Sequence, residues 1–398
     1  MRRDRVYRRR HSPLRGPKSC PSSWTRLYID GVTEPRDLWA RVLARPAVLV
    51  TVIVSAAVSG WILMSLALGF GLPRANGGPL PIVLGGISLV VGIGALVVAC
   101  VLLFKAFRLW ALLILIPLVM ALSVGVYSFS IAFAAVYPPH PSSDAVPPGG
   151  EQVSMAAEDG VRLSGWYLPS RNGAAVVLRH GANSTASATV RQAQTLNEAG
   201  YGVLSTDARG HGASDGQGME LGWFGDPDTR AAVDFLAARV DVDADRIAVI
   251  GLSMGGEEAI GAAGVDDRIK AVVAEGATGR TAEDKAWLAE EYGLAGVVQG
   301  VLDAVTYGLI DGMTTADPPP TLGESIREAS PTRFLLIAGG AMPDEQLVAE
   351  RLAAVDSDRV EVWVVPHAGH VQGLGTAPAE WRDRVIGFLD HALGEQSG

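Results

Sequence analysis

The stretch Ile247-Ala-Val-Ile-Gly251-Leu-Ser253-Met-Gly255-Gly256 decides how this chain is read. The apolar run Ile247–Gly251 predicts a buried strand, and the small residues after Ser253 predict a helix. A serine at the apex of a strand-to-helix turn needs neighbours without bulk, which Gly251 and Gly255 supply. Such a turn lifts the Ser253 hydroxyl out of the sheet and aims the first amides of the helix at whatever it attacks. A bare G-x-S-x-G arises by chance in a chain with 47 glycines. A strand before it and a helix after it give it the context of a nucleophile.

A serine hydroxyl needs a base to take its proton and an acid to orient that base. Of the seven histidines, His11 lies in a basic tail, His140 in a proline-rich linker and His391 on a terminal amphipathic helix. His180 and His211 sit in glycine-rich loops. The segment Pro366-His367-Ala-Gly-His370 follows the apolar run Val360–Val365, and His370 is the expected base because Gly369 lets the loop carry its ring over the sheet edge. The expected acid is Asp344, in the loop after the predicted strand Arg333–Ala338. Asp344 also reads as a cap for a helix beginning at Glu345. Glu345 and Glu275 are the alternative acids.

Taken together, residues from about 150 to 398 resemble the α/β-hydrolase superfamily, in its serine esterase and aminoacyl-peptidase-like branch. The chain order nucleophile, acid, histidine is that family's order. Ala174-Ala-Val-Val-Leu-Arg-His180-Gly181-Ala182-Asn183 resembles its strand and His-Gly loop, and the segment from Asp207 through Arg209, Gly210 and Gly212 to Ser214 resembles its D-x-R-G-x-G-x-S loop. The resemblance implies a mainly parallel sheet flanked by helices, an oxyanion hole made by the Met254 and Ala182 amides, and no metal or cofactor. It also implies structural roles for His180, Asp207, Arg209 and His211 as loop ties. The departure is at the acid: many relatives carry G-x-x-D after this strand, whereas Gly339-Gly-Ala-Met-Pro-Asp344 displaces the carboxylate.

The front of the chain is different. Residues 46–137 contain no Asp or Glu and read as three transmembrane helices, from Pro46 to about Leu72, from Leu80 to Phe104 and from about Leu109 to Val136. Each is longer than the ~20 residues that cross a hydrocarbon core. Residues 1–45 carry twelve Lys and Arg against four Asp and Glu, and Lys105 and Arg108 mark the second break, so the N-terminus is expected in the cytoplasm and the part after residue 137 outside it. The first 137 residues carry a net charge of +11 and the rest −20. An acidic catalytic half argues against a nucleic-acid partner. Cys20 and Cys100 fall in the front region, so the rest of the chain folds without disulfides.

Residues 138–150 read as a proline- and glycine-rich linker and residues 151–398 as the hydrolase domain. Within it, residues 277–331 are expected to form a small helical lid over the serine, with apolar faces lining an acyl pocket. The expectation is a membrane-anchored serine hydrolase acting on an ester, thioester or amide of a small or lipid-like acyl substrate. An acyltransferase or an aminoacyl-type serine peptidase would use the same residues, and a relic fold without activity is the reading of another class.

Overall fold

The computed structural model describes residues 46–66, 79–107, 110–142 and 146–394. The basic tail with Cys20, and the breaks at 67–78 and 108–109, lie outside the described residues. From the linker onward, strands and helices alternate. The strands are β1 (Glu151–Ala156), β2 (Arg162–Leu168), β3 (Ala175–Arg179), β4 (Gly202–Thr206), β5 (Ile247–Leu252), β6 (Ile269–Glu275), β7 (Arg333–Gly339) and β8 (Val360–Val365). They form one eight-stranded sheet in the order β1-β2-β4-β3-β5-β6-β7-β8. The first two strands run antiparallel, and β3 to β8 pair in parallel.

Three apolar helices precede the sheet: α1 (Pro46–Leu66), α2 (Pro79–Phe107) and α3 (Trp110–Val136). The helices that cover the sheet or lie at its edge are α4 (Val190–Glu198), α5 (Gly225–Ala237), α6 (Met254–Val265), α7 (Leu288–Tyr292), α8 (Leu294–Asp311), α9 (Leu322–Glu328), α10 (Pro343–Ala353), α11 (Gly373–Thr376) and α12 (Pro378–Leu393). Successive side chains of a strand point to opposite faces, and the core divides accordingly. Ala175, Val177, Ile247, Val249, Phe334 and Leu336 pack under α5, α6, α9 and α10. Val176, Leu178, Ala248, Ile250, Leu335 and Ile337 pack under α4 and α12. A sheet covered on both faces needs near-continuous apolar strands, which is what β3, β5 and β7 are.

Helices occupy the described parts of the three expected apolar segments, 46–66, 79–107 and 110–136. In α1 and α2, Ile53 and Ala57 meet Ala99 and Leu103. Their outward residues, including Val54, Val58, Val90, Val91 and Val97, are as apolar as those between them. By length and composition, two stretches among the described residues could cross a membrane: Ile116–Val136 and, in the expected lid, Leu294–Asp311. Val50–Gly60 and Val90–Lys105 are shorter apolar stretches.

The end of α3 is fastened to the loop after β4. The Glu220 amide donates to the Ala135 carbonyl at 2.9 Å, and Gln217 Nε2 to the Val136 carbonyl at 2.7 Å. Helix α8 lies along α3, with Ser128 Oγ donating to the Leu302 carbonyl at 3.3 Å.

Candidate active site

Ser253 stands between β5 and α6 with φ 54° and ψ −121°, a conformation that a residue with a side chain adopts only when its surroundings impose it. The turn is as tight as its glycines imply: a Cβ on Gly251 would lie 1.9 Å from the Gly255 carbonyl oxygen. The Ser253 amide is held by the Glu275 carbonyl at 2.7 Å, anchoring the apex to β6. Met254 opens α6, and the first amides of a helix have no acceptor within it.

His370 Nε2 lies 2.8 Å from Ser253 Oγ. Its Nδ1 lies 2.6 Å from Glu345 Oε1, and the other Glu345 oxygen accepts the Gly339 amide at 2.9 Å. With Nδ1 protonated toward the carboxylate, Nε2 is free to accept the serine proton. Hydrogen bonding to Glu345 raises the His370 pKa above its ordinary 6.5, against the lowering effect of partial burial. The ring has space because Gly276 carries no side chain; a Cβ there would meet the imidazole at 3.0 Å.

Asp344, the expected acid, is not at the histidine. Its carboxylate accepts the Tyr292 hydroxyl instead, and the carboxylate at His370 belongs to Glu345. The reason lies in where the helix starts. Met342 is the N-cap and Pro343 the first helical residue, so Asp344 is one step inside the helix rather than its cap. One residue of helix turns a side chain by about 100°, which sends Asp344 outward and buries Glu345. Glu275 does not bond to His370 either. It accepts the Gly373 amide at 2.7 Å and Trp381 Nε1 at 3.2 Å, so it fastens the segment following the histidine loop. Burial pushes its pKa up.

The loop bearing Ala182 is held from beneath. His180 is fully buried; its Nδ1 lies 2.8 Å from the Gly181 carbonyl and its Nε2 accepts the Ala208 amide at 2.9 Å. That assigns the proton to Nδ1, and burial lowers the pKa to about 3, so the ring stays neutral. Asp207 accepts the amides of Ala186 and Ala213, and Arg209 pairs with Asp228 and Asp159. His211 meets Glu220 at 2.9 Å, whose other oxygen takes the Asn183 amide at 2.7 Å. These residues tie loops together.

Several contributors escaped the sequence reading. Glu220 has no motif around it. Arg179 in β3 pairs with Glu258 of α6 at 2.7 Å, both buried; an arginine closing an apolar strand was the available signal that a buried carboxylate exists elsewhere. Glu257, one turn after Ser253, accepts the Thr278 and Gly279 amides, and burial pushes its pKa up to about 7.

A cleft of about 490 Å³ opens over Ser253, lined by residues that include Gly181, Ala182, Ser184, Arg191, Gln192 and Gln372. No residue of 277–331 lines it, so the segment read as a lid does not form the pocket wall among the described residues. Its last helix, α9, packs into the core beside α6, and α8 lies against α3 instead. The Gln192 Oε1 in this cleft is buried without a partner.

Comparison with known proteins agrees with the fold. The family model for serine aminopeptidase, S33, matches residues 170–304. An esterase of Pyrococcus furiosus has a solved structure that superposes with TM-score 0.52 at 26% identity, covering 65% of this chain and 99% of that one. An uncharacterised Mycobacterium tuberculosis protein is 38% identical over 128 residues, or 31% of this chain, and the match spans 45% of the relative's length. The uncharacterised Escherichia coli protein YfhR is 26% identical over 275 residues, 66% of this chain and 86% of that one. The sheet order, the turn at Ser253 and these likenesses identify an α/β-hydrolase fold. They support a hydrolase.

Proposed function

We propose that this chain is a membrane-anchored serine hydrolase that cleaves an ester through an acyl-enzyme on Ser253. The observation that carries the reading is the unbroken hydrogen-bond line from Glu345 through His370 to Ser253 Oγ, at 2.6 and 2.8 Å. In the first step Ser253 Oγ attacks the carbonyl carbon while His370 Nε2 takes its proton, and Glu345 stabilises the imidazolium that results. The carbonyl oxygen becomes an oxyanion between the amides of Met254 and Ala182, each worth about 2.7–4 kcal/mol in comparable sites. Collapse expels the alcohol, which takes the proton from His370. A water then repeats the sequence in reverse roles, releasing the acid and restoring the serine.

An aminoacyl-type peptidase is the second reading, favoured by the description of the matching family model. A free amino terminus needs a carboxylate near the scissile bond, and the residues lining the cleft include Arg191 but no Asp or Glu. That supports an ester of a polar or anionic molecule over an aminoacyl amide.

Membrane anchoring is supported by the outward valines of α1 and α2, which would have no reason to face water, and by the charge asymmetry. The N-terminus then lies in the cytoplasm and the catalytic domain beyond it. The test is hydrolysis of a soluble short-chain p-nitrophenyl ester by the detergent-solubilised full chain. Ser253→Ala is expected to abolish it; wild-type protein without turnover, or a fully active Ser253→Ala variant, would contradict the proposal. Reporter fusions after residue 140 are expected to be active only outside the cytoplasm, and a cytoplasmic signal would reverse the orientation.

A further inference from the structure

Glu220 joins the end of α3 to the loop that follows β3. Its main chain belongs to α3: the Glu220 amide donates to the Ala135 carbonyl at 2.9 Å, and the nearby Met219 and Trp223 cluster with Ala132, Ala135 and Val136. Gln217 Nε2 adds a bond to the Val136 carbonyl at 2.7 Å. Its side chain belongs to the loop. One oxygen accepts the Asn183 amide at 2.7 Å and the other meets His211 Nε2 at 2.9 Å.

That loop lies against the nucleophile, since a Cβ on Gly181 would stand 3.2 Å from Ser253 Cβ. A peptide unit is planar and trans, so holding one of its atoms fixes the direction of the others. The unit between Gly181 and Ala182 carries the Ala182 N–H, and His180 Nδ1 donates to its carbonyl oxygen at 2.8 Å. The next unit carries the Asn183 N–H, which Glu220 holds. Ala182 is thus clamped on both sides, by His180 and by Glu220. The second clamp works against strain, because Asn183 sits at φ 55°, a left-handed conformation that costs a residue with a side chain energy unless its neighbours hold it.

The length of Glu220 matters as well. His211 is fully buried, with Nδ1 3.0 Å from the Arg209 carbonyl and Nε2 facing Glu220. Both ring nitrogens face acceptors, so both carry a proton. Burial opposes that charge, yet the hydrogen bonds to Glu220 and to the Arg209 carbonyl raise the His211 pKa above its ordinary 6.5. A glutamine at 220 can serve the same two neighbours, its oxygen accepting the Asn183 N–H and its amino group donating to Nε2 of a neutral His211. An aspartate keeps the charge but is one methylene too short to span both.

We propose that Glu220 is a positioning residue for the amide of Ala182, the expected oxyanion donor, and that the last turn of α3 sets Glu220 in place. The apolar front of the chain is then part of the catalytic scaffold as well as a tether. The effect on turnover rests on the serine-hydrolase reading above; the coupling of α3 to the loop does not.

The test compares Glu220→Ala, Glu220→Asp and Glu220→Gln in the detergent-solubilised full chain, by steady-state hydrolysis of a soluble short-chain p-nitrophenyl ester. Losing an oxyanion donor outright costs about 10²–10³ in kcat, so a donor left unheld in the Ala and Asp variants is expected to cost about 10–100-fold in kcat, with KM within about threefold. Glu220→Gln is expected to recover most of that loss. An aspartate variant faster than the glutamine one would mean that charge, not reach, matters, and would overturn the positioning role; so would a wild-type kcat in Glu220→Ala. If Glu220→Ala does not fold, the order of Asp and Gln still decides. Hydrogen–deuterium exchange reads the loop without turnover: the peptide covering 181–186 is expected to exchange faster in the Ala and Asp variants and at the wild-type rate in Glu220→Gln. For α3, Ala135→Leu adds bulk where the helix meets the Glu220 segment and is expected to speed exchange at 181–186 and lower kcat. Ala134→Leu, on the exposed side of the same turn, is expected to leave both unchanged. Wild-type exchange at 181–186 in Ala135→Leu overturns the coupling to α3. A folded wild-type protein that cleaves no ester overturns the hydrolase reading, while the exchange rates judge Glu220 and α3 independently.

Discussion

Replacing Glu345 by glutamine separates the two adjacent carboxylates on which the chemistry turns. Glu345 accepts from two donors at once, His370 Nδ1 at 2.6 Å and the Gly339 amide at 2.9 Å. A glutamine has one oxygen and one amino group to offer them. If the oxygen faces Gly339, the amino group faces Nδ1 and forces the imidazole into the tautomer with a proton on Nε2, where it can no longer accept from Ser253. If the oxygen faces His370, two N–H groups are opposed at Gly339. Where a triad acid elsewhere is neutralised in this way, kcat falls by about 10⁴. Allowing for the longer, more adaptable side chain, Glu345→Gln is expected to lower kcat by about 10³–10⁴, or roughly 4–5.5 kcal/mol of transition-state stabilisation. Asp344→Asn keeps an acceptor for the Tyr292 hydroxyl and is expected to stay within about threefold of wild type. The assay is steady-state ester hydrolysis across pH 5–9. A severe loss in Asp344→Asn, or near-normal turnover in Glu345→Gln, would refute the assignment.

Further outcomes follow from individual contacts. The acid limb of kcat/KM should lie above the ordinary histidine value of 6.5, because protonation of His370 removes the base and Glu345 favours the protonated form. In the residual activity of Glu345→Gln that limb should move to lower pH. Glu257 has a folded-state pKa of about 7 against an ordinary 4.5, so folding takes up a proton between those values; the stability present below pH 4.5 is lost as pH rises through about 7. Glu257→Gln should flatten the fall in melting temperature between pH 5 and 8, and an unchanged fall would contradict the buried-carboxyl reading. Removing Arg179 as Arg179→Met leaves Glu258 buried without its partner and should cost about 3–5 kcal/mol in denaturant unfolding. Gly251→Ala, whose Cβ would meet the Gly255 carbonyl at 1.9 Å, should fail to give folded protein, as judged by solubility and size-exclusion profile.

The strand and turn at Ser253 could be read from local residues because a five-residue apolar run and flanking glycines have few other structural uses. His370 followed from its glycine-bearing loop at the end of a strand. The acid did not, since choosing between Asp344 and Glu345 requires the phase of a helix, and that phase was set by Pro343 occupying its first position. The hairpin of α7 and α8 failed for another reason. The alternation of Val298, Val301 and Val305 with Asp303, Thr306 and Tyr307 is written in the sequence, but which face meets the enzyme depends on α3, far away in the chain. The reading of apolar residues as pocket lining fails because Tyr307 and Ile310 pack against α3 while Val298, Val301 and Val305 stay exposed.

The most direct test of the chemistry is a fluorophosphonate added to the folded, detergent-solubilised chain, with the adduct located by peptide mass spectrometry. The phosphorus should be found on Ser253 alone, with labelling abolished in Ser253→Ala and strongly slowed in His370→Ala. An adduct that persists in Ser253→Ala, or folded wild-type protein that takes up no probe, would contradict a nucleophile at this turn.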